Sequence, residues 1–295
     1  MKKSPLIITK ASGEFEPFSE HKLLESLLKS GAAKEIAQSI LDELKPRMHT
    51  GISTRKIYKW AFALLKERSR HLAAKYHLKS AIMELGPSGF PFEQFIARLL
   101  QYMGYETKTG VIVKGKCVNH EVDVVAQKAD HSFMVECKYH NHAGTVSDVK
   151  IPLYIRARFQ DLEEAWISLP GKKLRFEQGW LVTNTRFTGD AITYGNCAGL
   201  RLMGWDYPAK GSLKNLIDEL GVYPVTCLTT LKKSEKMELL VKNIVLCPEL
   251  NERMNVLQEL GLSESRVRSV MSESAQLCSR TIRPTGNGGL TAERS

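Results

Sequence analysis

Apolar residues along this 295-residue chain recur with two periods, and the places where one gives way to the other mark its elements. Leu6 to Ser19, LIITKASGEFEPFS, alternates around a turn at Ser12 and Gly13 and reads as a β-hairpin. Helical spacing follows. Leu23, Leu24, Leu27 and Leu28 form one stripe, closed by Gly31, and Ile36, Ile40, Leu41 and Leu44 form a second between Lys34 and Met48. A third helix is expected from Thr54 to Glu67, with Ser53 or Thr54 as its N-cap after the Gly51 turn, and a fourth around Leu72 to Leu85. Gly86-Pro87-Ser88-Gly89 breaks that run, and Phe92, Phe95, Ile96, Leu99, Leu100 and Met103 then mark a helix within Gly89 to Glu106.

Alternation returns in HEVDVVA and SFMVECKY, two strands joined through Ala129, Asp130 and His131. Asp148 to Ser168 reads as a helix carrying Ile151, Ile155, Leu162 and Trp166, with Pro152 tolerated in its first turn. WLVTN is expected as a buried strand, TGDAITYGNCAG as a helix ended by Gly199, and LRLMGW as another strand. Ser212 to Ser279 is helical, with breaks at Lys242-Asn243, Pro248 and Gly261. The tail TIRPTGNGGLTAERS has no apolar period and is expected to be disordered. The fold class is therefore α/β (α+β) and multidomain. Residues 1–86 form a β-hairpin plus helical bundle, 87–210 a mixed sheet flanked by helices, 211–280 a helical region and 281–295 a tail.

Composition sharpens this picture in three respects. Hydrophobic residues make up 43% of the chain, enough for two or three cores. A net charge of +10 and a pI near 9.2 favour a polyanionic partner, since each phosphate neutralised by Lys or Arg releases counterions. The six cysteines include no CxxC pair, as expected of reduced thiols in a cytoplasmic protein, and no apolar run approaches membrane-spanning length.

The candidate chemistry lies in the alternating stretch from His120 to His140. Strict alternation puts Glu121 and Asp123 on one face and Val122 and Val124 on the other, and pairs Glu136 with Lys138. A bare ExK triplet is usually a solvated ion pair. Here a helix carrying Glu93 beside its apolar face precedes the strands, so three carboxylates and one ammonium fall in a fixed order of elements. An oxygen-rich, open set of this kind suits Mg²⁺ better than Zn²⁺. A zinc site drawn from Cys117, Cys137, His140 and His142 fits no standard finger spacing, and Cys137 is expected to face the core.

Glu93, Asp123 and Glu136-Cys137-Lys138, followed by LVTNTRFTGDAITYGNCAGLRLMGW, resemble the PD-(D/E)xK nuclease superfamily and, within it, the Mrr-like restriction endonucleases. The resemblance implies that Asp123 and Glu136, with the Cys137 carbonyl, bind Mg²⁺ or Mn²⁺. It further implies that Lys138 orients or activates water and that Glu93 completes the catalytic site. Val122 stands where the family's PD pair has proline, and Glu121 is a reserve ligand. Lys150, Tyr154 and Arg158, spaced by four, form a stripe suited to a DNA backbone.

Ile8, Lys10, Gly13, Glu16, Ser19, Lys22, Leu23 and Gly51-Ile52-Ser53-Thr54 resemble the ATP-cone, a nucleotide-sensing module. That resemblance implies that Lys10 and Lys22 contact the phosphates of ATP or dATP, while Ile8, Leu23 and the turn through Thr54 border base and sugar. Ala11 replaces an arginine found in many ATP-cones. The turn near Asn243 faintly resembles a helix-hairpin-helix, and a packing or dimerisation role for this region is equally open. Together these features describe a homo-oligomeric, metal-dependent DNA endonuclease serving restriction or repair and regulated by adenine nucleotide. The alternative is a non-catalytic, nucleotide-responsive DNA-binding protein.

Overall fold

The computed structural model describes residues 6–10, 13–142, 144–169 and 172–279, with backbone alone at 166–169 and 172–174. Ala11, Ser12 and the tail from Thr281 lie outside the described residues. The first hairpin forms as expected: β1 (Ile7–Thr9) pairs antiparallel with β2 (Phe15–Pro17), and Gly13 takes a φ of +87° that favours glycine. A third strand, β3 (Ile52–Ser53), which the periodicity did not announce, pairs parallel with β1. Three helices cover this small sheet: α1 (Glu20–Lys29), α2 (Lys34–Leu44) and α3 (Thr54–Arg68). Ser19 caps α1 and Ser53, rather than Thr54, caps α3; each hydroxyl accepts a backbone N–H three residues on. Leu27, Ile40, Leu41, Leu44, Ala61 and Leu65 are fully buried between them.

The helix expected over 72–85 is two helices. α4 (Arg70–Tyr76) and α5 (Leu78–Met83) meet at His77, whose side chain bridges the Tyr58 hydroxyl at 3.0 Å and Glu84 at 3.2 Å. Ala73 belongs to the N-terminal core, whereas Ala74, Leu78, Ala81, Ile82 and Leu85 belong to the central one. This helical pair therefore serves two cores.

α6 (Phe90–Tyr102) leads into three antiparallel strands: β4 (Glu106–Lys114), β5 (Asn119–Lys128) and β6 (His131–Lys138). Glu106 starts the first strand rather than ending the helix, because Gly104, at φ +84°, stops α6. After a short β7 (Val146–Ser147), α7 (Lys150–Leu162) ends earlier than its periodicity predicts. Trp166 lies in β8 (Trp166–Leu169), paired antiparallel with β9 (Lys172–Thr183). β10 (Arg186–Phe187) pairs with β7, α8 (Gly189–Cys197) follows, and β11 (Arg201–Met203) completes the sheet. Its order is β11-β9-β6-β5-β4, with β6, β9 and β11 parallel and β4 and β5 antiparallel. Phe92, Phe95, Leu99 and Leu100 of α6 enter one core, while Ile155, Phe159 and Leu162 of α7 enter another. The mixed sheet is thus covered on both faces.

The C-terminal helices α9 (Leu213–Leu220), α10 (Lys233–Val241), α11 (Glu249–Glu252), α12 (Asn255–Glu259) and α13 (Glu264–Cys278) are continuous with this core rather than appended to it. Leu239, Ile244, Leu246, Leu250, Leu257, Val270 and Leu277 share one apolar cluster with Phe92 and Trp180. Asn243 and Gly261 take positive φ, as the sequence breaks suggest. The amides of Asn243 and Ile244 bond back to Leu240 and Leu239, which closes α10 and commits the very groups that a phosphate-binding turn would present.

Candidate active site

The site begins where two paired strands part. β5 and β6 are hydrogen-bonded from Lys128↔His131 to Val124↔Val135, and the next residues, Asp123 and Glu136, lie just beyond that ladder. One oxygen of Asp123 takes the place of the missing ladder carbonyl, accepting the Cys137 N–H at 2.7 Å. On the other edge of β5, Gly110 of β4 has a φ of +60°. Strict alternation does not survive this fork: Val122 and Val124, expected on one face, pack into different cores. The local twist that separates them turns the acidic residues towards each other.

Glu136 is 5% exposed, and α7 supplies its counter-ion: Arg158 Nη1 lies 2.5 Å from Glu136 Oε2. The same guanidinium donates to the Glu121 carbonyl. The other carboxylate oxygen, Glu136 Oε1, is buried without a hydrogen-bond partner. Burial, and then the nearby Asp123 charge, push the Glu136 carboxyl up to about 8 against the pull of Arg158. Glu93, in the first turn of α6, is pushed up to about 7 by burial and then by Asp123 and Glu121, and Asp123 is itself raised by burial. Glu93, Asp123, Glu121 and Glu136 therefore share one electrostatic environment.

Not every predicted member joins them. Lys138 is exposed and makes no ion pair among the described residues; its charge is felt at His140, whose pKa is lowered first by burial and then by Lys138. Arg158 stays beside Tyr154, its guanidinium 5.7 Å from the ring centre, and also reaches inward. Lys150 and Tyr154 remain exposed on α7, whereas Arg158 turns inward to the buried carboxylate, which attracts it more strongly than water does. Cys137 faces the core, as expected.

Two residues without a distinctive sequence motif support Arg158. His120 Nδ1 lies 3.5 Å from Arg158 Nε, and His120 Nε2 lies 2.7 Å from Asp161 Oδ2. Asp161 also accepts the N–H groups of Cys117 and Val118, which ties α7 to the β4–β5 turn; its carboxyl is held well below the usual range, first by His120. The available signal was helical spacing, since Arg158 and Asp161 are three apart.

Among the described residues no three Asp, Glu, His or Cys side chains are arranged to hold a metal ion as they stand, and Asp123 and Glu136 each accept a hydrogen bond from a protein donor. The donor set is nevertheless all oxygen, and Glu136 Oε1 is a buried acceptor for which the described residues supply no donor. That combination fits a hard divalent cation.

In the N-terminal domain, Ile8, Glu16, Ser19, Lys22, Leu23 and Thr54 line one cavity of about 160 Å³, together with Phe18, Ile57, Tyr58 and Tyr76. Lys10 lies outside this lining but reaches Glu16 at 3.0 Å, and Lys22 approaches the same carboxylate at 3.5 Å.

Comparison with known proteins matches two stretches of the chain. Residues 86–206 match the family described as "Restriction endonuclease", of the Mrr catalytic type, and residues 223–278 match the family described as "AF1548-like, C-terminal". An uncharacterized protein of Archaeoglobus fulgidus is 38% identical over 183 residues, covering 62% of this chain and 99% of that protein. A crystal structure described as that of a protein of unknown function, AF1548, superposes with a TM-score of 0.53 at 36% identity, covering 65% of this chain and 98% of that one. Residues 1–85 lie outside both family matches. The chain belongs to the family of this archaeal protein, and carries within it an Mrr-type restriction-endonuclease domain followed by an AF1548-like C-terminal domain.

Proposed function

We propose that the chain is a metal-dependent DNA endonuclease whose activity responds to adenine nucleotide bound in its N-terminal domain. The observation that carries the first half is the strand fork, where the buried Glu136 and the half-buried Asp123 and Glu93 repel one another and one Glu136 oxygen has no donor among the described residues. Asp123 and Glu136, with the Cys137 carbonyl, would hold Mg²⁺ or Mn²⁺, and Glu93 or Glu121 would complete the set. When bound, such an ion lowers the pKa of water and stabilises charge developing on phosphate. Glu93, its carboxyl raised to about 7 by its surroundings, is placed to hold or pass a proton at its carboxyl oxygen. Lys138, exposed and without an ion pair among the described residues, would bring its ammonium to the scissile phosphate. Exposed Lys150 and Tyr154 on α7 are positioned to receive the DNA backbone.

For the second half, the support is the cavity that gathers Ile8, Lys22, Leu23 and Thr54, expected around ATP or dATP, with Glu16 and Ser19 of the same resemblance. Glu16 sits between Lys10 and Lys22 and occupies the anion position that phosphates would contest. Incubation of supercoiled plasmid with Mg²⁺ or Mn²⁺, with and without ATP, is the direct test. Nicking that falls at least a hundredfold in Asp123→Asn and Lys138→Ala supports the enzyme. DNA retention in a gel with no cleavage under any of these conditions overturns it in favour of a nucleotide-responsive binding protein.

A further inference from the structure

The N-terminal domain does not simply rest on the rest of the chain; a hollow runs between them. One part, of about 240 Å³, lies among α1, α4, α5 and the segment after β11, and it continues into a larger part of about 660 Å³ against α9. Lys29, Lys75 and Lys214 border both parts, and Lys79 borders the first. These four ammonium groups come from four different helices. Lys29 and Lys214 have carboxylate partners, Glu25 at 2.7 Å and Asp218 at 2.8 Å. Lys75 and Lys79 have no carboxylate partner among the described residues and rest instead over aromatic rings: Lys75 Nζ is 5.7 Å from the Tyr223 ring centre, and Lys79 Nζ is 5.0 Å from that of Trp205. Burial, and then the nearby Arg186 charge, lower the pKa of Lys79 against the weaker pull of Asp206.

The hollow adjoins the candidate nucleotide cavity. Tyr58 and Tyr76, stacked at 5.0 Å with their planes 15° apart, line both spaces and form the wall between them. Asp218 lines both parts and Glu219 the larger one, so the four ammonium groups outnumber the lining carboxylates by two; converging on one half-enclosed space, they call for a compact ligand with several negative charges. Lysine, a compact point charge, suits phosphate oxygens in any orientation. An aromatic wall and a volume within the usual range for small-molecule sites suit a base attached to those phosphates.

We propose that this interdomain hollow is a second ligand site, taking a nucleoside polyphosphate whose phosphates meet Lys75 and Lys79 and bridge Lys29 to Lys214. Bound there, the ligand links the N-terminal bundle to the half that holds the strand fork. The site is separate from the cavity behind Tyr58 and Tyr76 and does not depend on the nuclease reading.

Titration calorimetry of the full chain with ATP, and separately with sodium tripolyphosphate, tests it. Two binding events are expected for ATP, with Lys22→Gln removing one and Lys75→Gln/Lys79→Gln weakening the other at least tenfold. The exposed Lys29→Gln variant guards against misfolding as the cause and should weaken the same event several-fold with an unchanged melting temperature. A single event lost in Lys75→Gln/Lys79→Gln but kept in Lys22→Gln upholds the hollow and removes the nucleotide from the N-terminal cavity. If every event survives Lys75→Gln/Lys79→Gln, or neither probe binds at millimolar concentration, the proposal falls.

Discussion

Glu136 shows how a functional residue works against the stability of its own fold. A carboxyl whose folded pKa is raised from 4.5 to about 8 binds more protons in the native than in the unfolded state between those values. Its contribution is therefore fully present below about pH 4.5 and is lost as pH rises through the folded value, the reverse of a salt-bridged carboxylate. Glu93, raised to about 7, acts in the same direction over a narrower window. A tenfold difference in proton affinity between folded and unfolded chains corresponds to about 1.4 kcal/mol, so the slope is measurable. Urea unfolding between pH 5 and 8 should show stability falling with pH in the wild type and a visibly flatter profile in Glu136→Gln, with that variant the more stable of the two at the alkaline end. Equal slopes would mean that Glu136 is not held protonated. The identity of this glutamate was legible in the ExK triplet. Its partner was not: the nearest lysine in sequence, Lys138, stays in solvent, and an arginine 22 residues away takes the carboxylate.

At the level of elements, α7 does more than cover the sheet. Its inward side carries Ile155, Phe159 and Leu162 into the core, and Arg158 and Asp161 towards the fork and the β4–β5 turn. Gly115 lets that turn come close, since a Cβ there would meet the Asp161 carboxylate and approach the Val118 carbonyl at 2.7 Å. Gly115→Ala should therefore push the turn from α7, costing about 1–3 kcal/mol in thermal or urea unfolding and lowering cleavage through a displaced Arg158. A variant as stable as the wild type would show that the clasp is slack. Most helices were legible because their stripes bury one face, and the main errors were at their ends. The 72–85 stripe hid the break at His77, and Trp166 extended the α7 period although the chain had already turned into β8. Apolar spacing marks apolar positions, and a strand and a helix end accommodate a tryptophan equally well.

Across the whole molecule, α4 and α5 hold the two halves together. Leu78, Ile82 and Leu85 are buried in the central core, Tyr139 Oη donates to the Met83 carbonyl at 2.6 Å, and Thr226 Oγ1 donates to the Ala81 carbonyl at 2.7 Å. Three such apolar side chains account for roughly 5 kcal/mol, a large part of the stability of an ordinary domain. A variant lacking residues 1–86 should melt many degrees lower or precipitate, whereas one lacking only residues 1–68 should remain monodisperse in size-exclusion chromatography and melt cooperatively; equal behaviour of the two would refute this role for α5. Among the described residues no helix is long and apolar enough to cross a membrane. The sequence by itself determined the order of helices and strands, the acidic residues that meet near the fork and the basic balance of the chain, because periodicity, side-chain chemistry and net charge are local or additive properties. Only the tertiary structure decided that Arg158 rather than Lys138 meets Glu136, that the C-terminal helices join the central core, and that lysines from four helices converge on one hollow. Those outcomes depend on strand twist and on which distant surfaces pack together, and no spacing along the chain encodes either.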